Sequence, residues 1–193
     1  FLKLALIGTG KIVQEALKAL QQVPQIDCVA LFARSHSREK AETFAREYKI
    51  DRVYTDYEAL LRDNAVDFVY IGLVNSAHYA YAKQALLSGK HVILEKPFTP
   101  NYEETAELAA LAERLGLYLF EAVTLLHMPN FHAIQEALPA LGRIRLVQCN
   151  YSQYSSRYDH YKQKVVQPAF DPKLYGGALY DINIYNLNFV VGL

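Results

Sequence analysis

The first 120 residues alternate between short apolar runs and helical patterns, and this alternation leaves few possible folds. The apolar runs, each of a length typical of a buried strand, cover residues 2–7, 26–33, 53–54, 66–74, 92–94 and 117–120. Helical patterns or helix-capping residues separate the runs. Because strand–helix–strand units close through right-handed crossovers into a parallel sheet, we predict an α/β fold with a doubly wound parallel sheet over residues 1–121.

A glycine turn follows the first apolar run directly. The segment Gly8-Thr-Gly10 leads into a helical pattern with Val13 and Leu17 on one face. A strand, a glycine turn and a helix form the context in which backbone N–H groups and a helix N-terminus bind a pyrophosphate. Val13 stands at the place of the third glycine of that fingerprint. An ordinary tight turn between strand and helix is therefore the alternative.

The second apolar run ends in the basic segment Arg34-Ser-His-Ser-Arg38. An NAD enzyme of this class carries a carboxylate near this place for the ribose 2′-hydroxyl, whereas here the first acid, Glu39, already belongs to the next helix. Two arginines and two serines suit a 2′-phosphate instead, so we predict NADP as the preferred cofactor, with NAD possible. The alternative is that Arg34 and Arg38 form only the polar start of the helix.

The stretch from His91 to Pro97 carries residues that we predict to perform chemistry. Val92–Leu94 is a short buried strand, and Glu95, Lys96 and Pro97 follow it. The carboxyl edge of an open parallel sheet is the usual ligand crevice, so the carboxylate and the ammonium are expected to project into it. The proline fixes the direction in which the chain leaves the strand. A solvated surface Glu–Lys pair is the alternative.

Two other polar positions follow apolar runs. Asn75 comes directly after the run 66–74, and we predict that it lies near the nicotinamide half of a cofactor. Ser76 is predicted to be the N-cap of a helix over residues 77–87, and Asp56 the N-cap of a brief helix that ends at Leu61.

The alternation of strands and helices stops after Glu121, and residues 122–193 are predicted to be a second domain. A helix is expected over Pro129–Leu141, followed by a long alternating strand over Ile144–Tyr154. The loop 155–172 after it is dense in aromatic and charged residues. Its tyrosines can line a pocket or fill a core.

A helix predicted over residues 178–191 carries two stripes. The apolar stripe, which is expected to pack on the core, consists of Tyr180, Ile184, Leu187 and Val191. Beside it, Asp181, Tyr185 and Asn188 form a second stripe. Asp181 and Tyr185 lie one turn apart, so a carboxylate and a phenol can point together into a cleft. Capping or compensation of the helix dipole is the alternative for Asp181, and core packing is the alternative for Tyr185.

Composition argues against several classes of protein. Twenty basic residues balance twenty acidic ones and no basic tract stands out, which disfavours nucleic-acid and membrane-surface partners. Neither a charged-then-apolar leader nor an apolar run long enough to span a bilayer is present, so we expect a soluble, cytoplasmic protein. Cys28 and Cys149 lie in strand-like runs and are expected to be reduced core residues, with neither a disulfide nor a metal site.

Three motifs together resemble the glucose–fructose oxidoreductase/inositol dehydrogenase/MocA-like family of NAD(P)-dependent oxidoreductases. They are Gly8-x-Gly10 after a strand, Glu95-Lys96-Pro97 after another, and Gly176-Gly-Ala-Leu-Tyr-Asp181-Ile-Asn-Ile-Tyr185. Tyr185, where many relatives carry histidine, is similar to the dimeric dihydrodiol dehydrogenase branch. The resemblance implies a Rossmann domain over residues 1–121, and over residues 122–193 the first part of a substrate and dimerisation domain with an open, largely antiparallel sheet. It also implies a homodimer or a higher homo-oligomer.

The resemblance further implies hydride transfer between a nicotinamide cofactor and a hydroxyl or carbonyl group of a sugar, polyol or diol. In this reaction Tyr185 would donate or accept the proton, Lys96 would favour the phenolate and bind the substrate oxygen, and Asp181 would orient the group. Lys96 as the direct acid is the alternative assignment. The predicted cofactor-binding residues are Gly8, Thr9, Gly10, Lys11, Ile12, Arg34, Ser35, Arg38, Leu73, Asn75, His78, Glu95 and Lys96.

A second hypothesis assigns the chain to a different class. Proteins of this fold can bind NAD(P) without turnover and act as sensors or co-regulators, since a fold does not imply an activity. Lys96, Asp181 and Tyr185 are all present, and these residues favour an enzyme.

Overall fold

The structure is a computed structural model that describes every residue from Phe1 to Leu193. It divides into two compact units, Phe1–Glu121 and Ala122–Leu193. None of its helices is both long and apolar enough to cross a membrane.

The first unit is built on a six-stranded sheet in the order β3-β2-β1-β4-β5-β6. Strands β2 and β3 are added on one side of β1, and β4, β5 and β6 on the other. The strands are β1 Leu2–Ile7, β2 Ile26–Phe32, β3 Arg52–Tyr54, β4 Phe68–Ile71, β5 His91–Glu95 and β6 Leu119–Ala122, and the helices are α1 Lys11–Leu20, α2 Arg38–Tyr48, α3 Tyr57–Leu61, α4 His78–Leu87 and α5 Tyr102–Leu115. The pairs β1–β2, β1–β4, β2–β3 and β4–β5 are parallel. The predicted α/β fold with a parallel sheet is confirmed.

The core of this unit lies on both faces of the sheet, as expected for parallel strands between two layers of helices. Leu4 to Ile7 of the central strand β1 are all buried, so side chains on both faces are covered. Val13 and Leu17 of α1 are buried, as their spacing predicted, and so are Leu108 and Leu111 of α5. Each strand therefore ends at a sheet edge that the buried core holds in place.

One predicted helix cap is confirmed and another is wrong. The Asp56 side chain accepts hydrogen bonds from the backbone N–H groups of Glu58 and Ala59 at the start of α3. Ser76, in contrast, does not cap α4, because residues 75–77 form a 3-10 turn in which the Ala77 N–H donates to the Val74 carbonyl. Ala77 is then the N-cap of α4, which begins at His78.

The second unit is helical. It contains α6 Pro129–Leu141, α7 Tyr158–Lys162, α8 Ala178–Asp181 and α9 Asn183–Gly192, together with short 3-10 turns at Thr124–His127, Pro168–Phe170 and Pro172–Leu174. The predicted bounds of α6 are confirmed. The loop 155–172 contains α7, and its residues Tyr158 and Tyr161 are exposed, so they do not fill the core of this unit.

The predicted strand over Ile144–Tyr154 is wrong, and the antiparallel sheet expected for the second domain is not confirmed by these residues. Residues 144–150 have no regular structure and Leu146 is 75% exposed. A strand needs a neighbouring strand to pair its backbone groups, and no second strand lies within residues 123–193 to provide one. Cys149, which lies in this segment, is exposed rather than in the core. Cys28 in β2 is half-buried, and burial raises the pKa of its thiol to about 11.

The helix predicted over residues 178–191 is interrupted, and its packed face differs from the predicted stripe. The break falls at Ile182, between α8 and α9. Leu187 and Val191 of the predicted stripe are exposed. Instead Phe189 packs edge-on against Phe131 of α6, with the ring centroids 5.6 Å apart. A Cβ on Gly192 would lie 2.8 Å from the Phe131 ring, so this glycine permits the close approach that shifts the packed face of α9.

Candidate cofactor and catalytic site

The two glycines of the turn after β1 have different surroundings: Gly8 is packed too tightly for a side chain, whereas Gly10 faces open space. Gly8 has φ +117°, and a Cβ there would meet the Gly72 carbonyl oxygen at 2.7 Å. Gly10 is exposed with φ −67°, and a Cβ there would have that same oxygen, at 4.0 Å, as its nearest neighbour. The open space at Gly10 lets a ligand approach the backbone closely, which is the role of the second glycine in a dinucleotide fingerprint.

Helix α1 begins directly after this turn. Its N-cap is Gly10, and no side chain caps its first N–H groups, which together with the helix dipole favour an anion at this end. Lys11 and Ile12 are exposed on the first turn, and Thr9 is half-buried. The ammonium of Lys11 lies 3.6 Å from a carboxylate oxygen of Glu15, one turn further along.

The basic segment lies at the carboxyl end of β2. Ser35 to Ser37 form a 3-10 turn, and Arg34, Ser35 and Arg38 are exposed. The Nε of Arg38 pairs with Oε1 of Glu42 at 2.7 Å, so a ligand would share this guanidinium with a carboxylate. Arg34 makes no such ion pair in the structure, which makes it the stronger candidate to bind a phosphate group.

The carboxyl ends of parallel strands share one edge of a sheet, and this edge collects the predicted residues of the first unit. The glycine turn follows β1, Arg34 follows β2, and Leu73 and Asn75, both half-buried, follow β4. Lys96 follows β5 and is half-buried as well. An open cleft of about 450 Å³ lies at the opposite edge, beside the amino ends of β1, β4 and β5, and is therefore not this crevice.

Glu95 is buried at the end of β5 and its carboxylate is bound by the protein itself. The Tyr70 hydroxyl donates to Oε1 at 2.6 Å, and the Lys96 backbone N–H donates to Oε2 at 3.2 Å. Burial raises the pKa of the Glu95 carboxyl, and these hydrogen bonds and the charge of Lys96 oppose the shift. Tyr70 was not predicted from the sequence, although a tyrosine in the apolar strand β4 is a signal for a buried polar partner.

Glu121 is a second carboxylate near the end of β6, half-buried, that the sequence did not single out. Its Oε1 accepts a hydrogen bond of 3.1 Å from the Phe98 backbone N–H. Burial raises the pKa of Glu121, and the negative charge of Glu95 raises it further. A lone acid at the end of the last strand, the position that Glu95 has on β5, is the signal that could have identified it.

His78, which the sequence assigned to the cofactor, is fully buried at the start of α4. Its Nδ1 lies 2.9 Å from the Pro97 carbonyl oxygen, and its Nε2 lies 3.2 Å from the Leu73 carbonyl oxygen. The ring thus bridges the segments that follow β4 and β5. Burial lowers the pKa of His78 and favours the neutral ring, although hydrogen bonds to the backbone of Pro97, Leu73 and Phe98 act in the opposite direction. The positive charge of Lys96 adds a smaller lowering. The Lys96–Pro97 peptide bond is cis.

Asp181 and Tyr185 belong to the second unit, where both are half-buried. Asp181 is the last residue of α8 and Tyr185 lies in the first turn of α9, so the break at Ile182 separates them. The Tyr185 ring packs edge-on against the ring of Tyr151, with centroids 5.5 Å apart.

Comparison with known proteins adds a family to this geometry. The model of an oxidoreductase family with an NAD-binding Rossmann fold, GFO_IDH_MocA, matches residues 2–123. The chain is 34% identical over 184 residues to scyllo-inositol 2-dehydrogenase (NADP(+)) IolU of Bacillus subtilis, and the aligned residues cover 95% of this chain and 56% of that protein. It is 30% identical over 190 residues to trans-1,2-dihydrobenzene-1,2-diol dehydrogenase of Xenopus tropicalis, and the aligned residues cover 97% of this chain and 55% of that protein.

Among solved structures, the chain is similar to KijD10, a 3-ketoreductase from Actinomadura kijaniata in complex with NADP and TDP-benzene. The TM-score is 0.68 at 31% identity, over 72% of this chain and 42% of that one. The chain spans about half the length of the curated relatives it matches.

Proposed function

The chain belongs to the Gfo/Idh/MocA oxidoreductase family with its NAD-binding Rossmann fold, and we propose that it takes part in hydride transfer between NADP and a hydroxyl or carbonyl carbon of a polyol, diol or sugar. The observation that carries this proposal is that three features lie at the carboxyl edge of the same sheet. They are the open backbone at Gly10, the exposed Arg34 and the half-buried Lys96.

The residues at this edge fit a dinucleotide. Residues 8–12 offer glycine backbone and an uncapped helix N-terminus to the pyrophosphate, and Arg34, Ser35 and Arg38 offer two cations and a hydroxyl to the adenosine 2′-phosphate. Leu73, Asn75 and Lys96 follow the strands on the other side of β1 and are assigned to the nicotinamide half. When bound, the nicotinamide supplies or accepts the hydride.

The relatives support both the cofactor and the class of substrate. IolU is named as an NADP(+)-dependent dehydrogenase of an inositol, and the amphibian relative as a dehydrogenase of a diol. KijD10, a ketoreductase, was crystallised with NADP. A polyol, diol or sugar presents the same reacting group in each case, a carbon that carries a hydroxyl in one state and a carbonyl in the other.

Proton transfer is assigned to Tyr185 and Lys96, with Asp181 as the orienting group. A cation at the substrate oxygen stabilises the negative charge that develops there, and a phenol next to such a cation titrates closer to neutrality. Lys96 suits the role of the cation at the substrate oxygen, because it follows β5 at the sheet edge where the cofactor is assigned. The family resemblance also supports a homodimer or larger homo-oligomer of the complete protein, which light scattering after size exclusion would measure.

The test uses the complete protein and the variant Lys96→Met. NADPH oxidation is screened against carbonyl derivatives of polyols, diols and sugars, and NADPH affinity is followed by its fluorescence. The variant should lose turnover by about 100-fold or more, since general acid–base groups contribute 10²–10⁴-fold, while its Kd for NADPH stays within about threefold. Lys83→Met, which removes a half-buried lysine paired with Glu107 on α5, is the matched control and should retain turnover.

Two outcomes would change the assignment. Tight NADPH binding without turnover by the unmutated protein, across the whole panel, would replace the enzyme with a sensor or co-regulator. Full turnover in Tyr185→Phe together with lost turnover in Lys96→Met would make Lys96 the direct acid.

A further inference from the structure

We infer that His78 and Glu121 are positioning residues for Lys96, which they hold through the backbone of the segment Lys96–Phe98. The inference rests on the proposed function of Lys96. Neither side chain is assigned to touch the substrate or the cofactor, so His78 acts differently from the direct cofactor contact that the sequence predicted.

The segment Lys96–Phe98, here called the lysine segment, has three backbone polar groups that are each bound by a buried or half-buried side chain. The Lys96 N–H donates to Glu95 Oε2 at 3.2 Å, and the Phe98 N–H donates to Glu121 Oε1 at 3.1 Å. Between them, the Pro97 carbonyl oxygen lies 2.9 Å from His78 Nδ1. These side chains come from the ends of β5 and β6 and from the start of α4, so three separate elements fix one tripeptide.

The protonation of His78 follows from its surroundings. A neutral imidazole has one N–H, and Nδ1 makes the shorter of its two contacts, to the Pro97 oxygen. A neutral ring can therefore donate to only one of the two carbonyl oxygens, and we assign the proton to Nδ1, so that the ring donates to the Pro97 oxygen. Because the ring is fully buried and each nitrogen faces a backbone carbonyl, its effect on Lys96 passes through the backbone.

Glu121 completes the arrangement from the other side. Removing the Glu121 carboxyl from water costs free energy, because burial opposes its ionisation. Its hydrogen bond from the Phe98 N–H offsets part of this cost. Removing the side chain would leave the Phe98 N–H without this acceptor and free the end of the lysine segment to move. An ammonium that must meet a substrate oxygen within a fraction of an ångström depends on such support, since a shift of about 1 Å costs about 100-fold in rate.

The experiment compares disruptive and conservative variants in the complete protein. His78→Phe and Glu121→Leu remove the hydrogen bonds, whereas His78→Asn keeps an N–H near the position of Nδ1 and Glu121→Gln keeps an acceptor oxygen. Tyr57→Phe is the matched control, because it removes another buried hydrogen bond, to the Tyr81 carbonyl at 3.0 Å, elsewhere in the first unit. For each variant kcat, the Kd for NADPH and the hydrogen exchange of the Lys96 and Phe98 amides are measured.

The disruptive variants should lower kcat about 10- to 100-fold, leave the Kd for NADPH within about threefold, and speed exchange of at least one of the two amides. The conservative variants should recover most of kcat and of the protection, and Tyr57→Phe should change neither. Unchanged kcat or exchange in the disruptive variants would overturn the inference, as would an equal loss in Tyr57→Phe. If the unmutated protein turns over no substrate, the proposed function fails, and the exchange rates alone decide whether the segment is held as inferred.

Discussion

Val13 of α1 and Gly72 after β4 share one space, because a Cβ on Gly72 would lie 2.7 Å from Val13 Cγ2. Val13 is fully buried and stands where a dinucleotide fingerprint has its third glycine, which normally permits close packing of helix on strand. Here the glycine that permits this packing is on the sheet side. The missing third glycine therefore does not argue against a dinucleotide site.

This relationship predicts the stability of two variants and of their combination. Gly72→Ala should lower the free energy of unfolding by about 1–3 kcal/mol, because the added methyl group overpacks against Val13. Val13→Ala should cost a similar amount through the cavity it leaves. The double variant should be more stable than the sum of the two losses by about 1 kcal/mol, since one change relieves the other. Urea unfolding measures all three, and strict additivity would show that the two residues do not compete for space.

Arg34 is predicted to distinguish NADP from NAD. Arg34→Ala should weaken NADP binding about 10- to 100-fold, the value of a charged hydrogen bond to phosphate, and leave NAD binding nearly unchanged. Arg46→Ala, which removes an exposed arginine of α2 that bonds Thr43, should affect neither cofactor. Titration of both cofactors with each variant makes the comparison. Equal losses for NADP and NAD in Arg34→Ala would contradict the assignment of the 2′-phosphate.

The half-buried Glu121 predicts a pH dependence of the free energy of unfolding. Burial raises the pKa of its carboxyl above the ordinary value of 4.5, so the folded protein binds this proton more tightly than the unfolded chain does. Its contribution to stability is therefore full below the unfolded pKa and is lost as pH rises through the folded one. Between about pH 4 and pH 8, the unfolding free energy of Glu121→Gln should accordingly rise relative to that of the unmutated protein. A difference that stays constant with pH, or falls, would show that burial does not raise this pKa.

Most of the first unit could be predicted from the sequence because its signals are local. The apolar run of β1 predicts a strand, and the spacing of Val13 and Leu17 predicts the helix α1, each from a few neighbouring residues. The strand expected over Ile144–Tyr154 had an equally clear local pattern, but pairing depends on a partner strand that a local pattern cannot supply. The face of α9 was missed for a similar reason, since it is set by Phe131, more than fifty residues earlier.

The residues around Lys96 were only partly predictable. Glu95 and Lys96 stand next to each other after a strand and could be identified from that position alone. The contacts that hold them join distant residues: Tyr70 reaches Glu95 across 25 residues, and Phe98 reaches Glu121 across 23. The spacing of apolar and polar residues along the sequence does not predict a contact between residues so far apart. Only the folded sheet shows that these residues are in contact.

The most direct test of the central claim follows the hydride itself. NADPH carrying two deuterium atoms at C4 is incubated with the complete protein and with a carbonyl compound that the screen identifies, and the product alcohol is analysed by mass spectrometry. The proposed reaction predicts one deuterium on the carbon that bore the carbonyl, and formation of this labelled product about 100-fold more slowly when Lys96 is replaced by Met. A product without deuterium, or labelled product formed at an equal rate by the Lys96→Met variant, would contradict hydride transfer at this site.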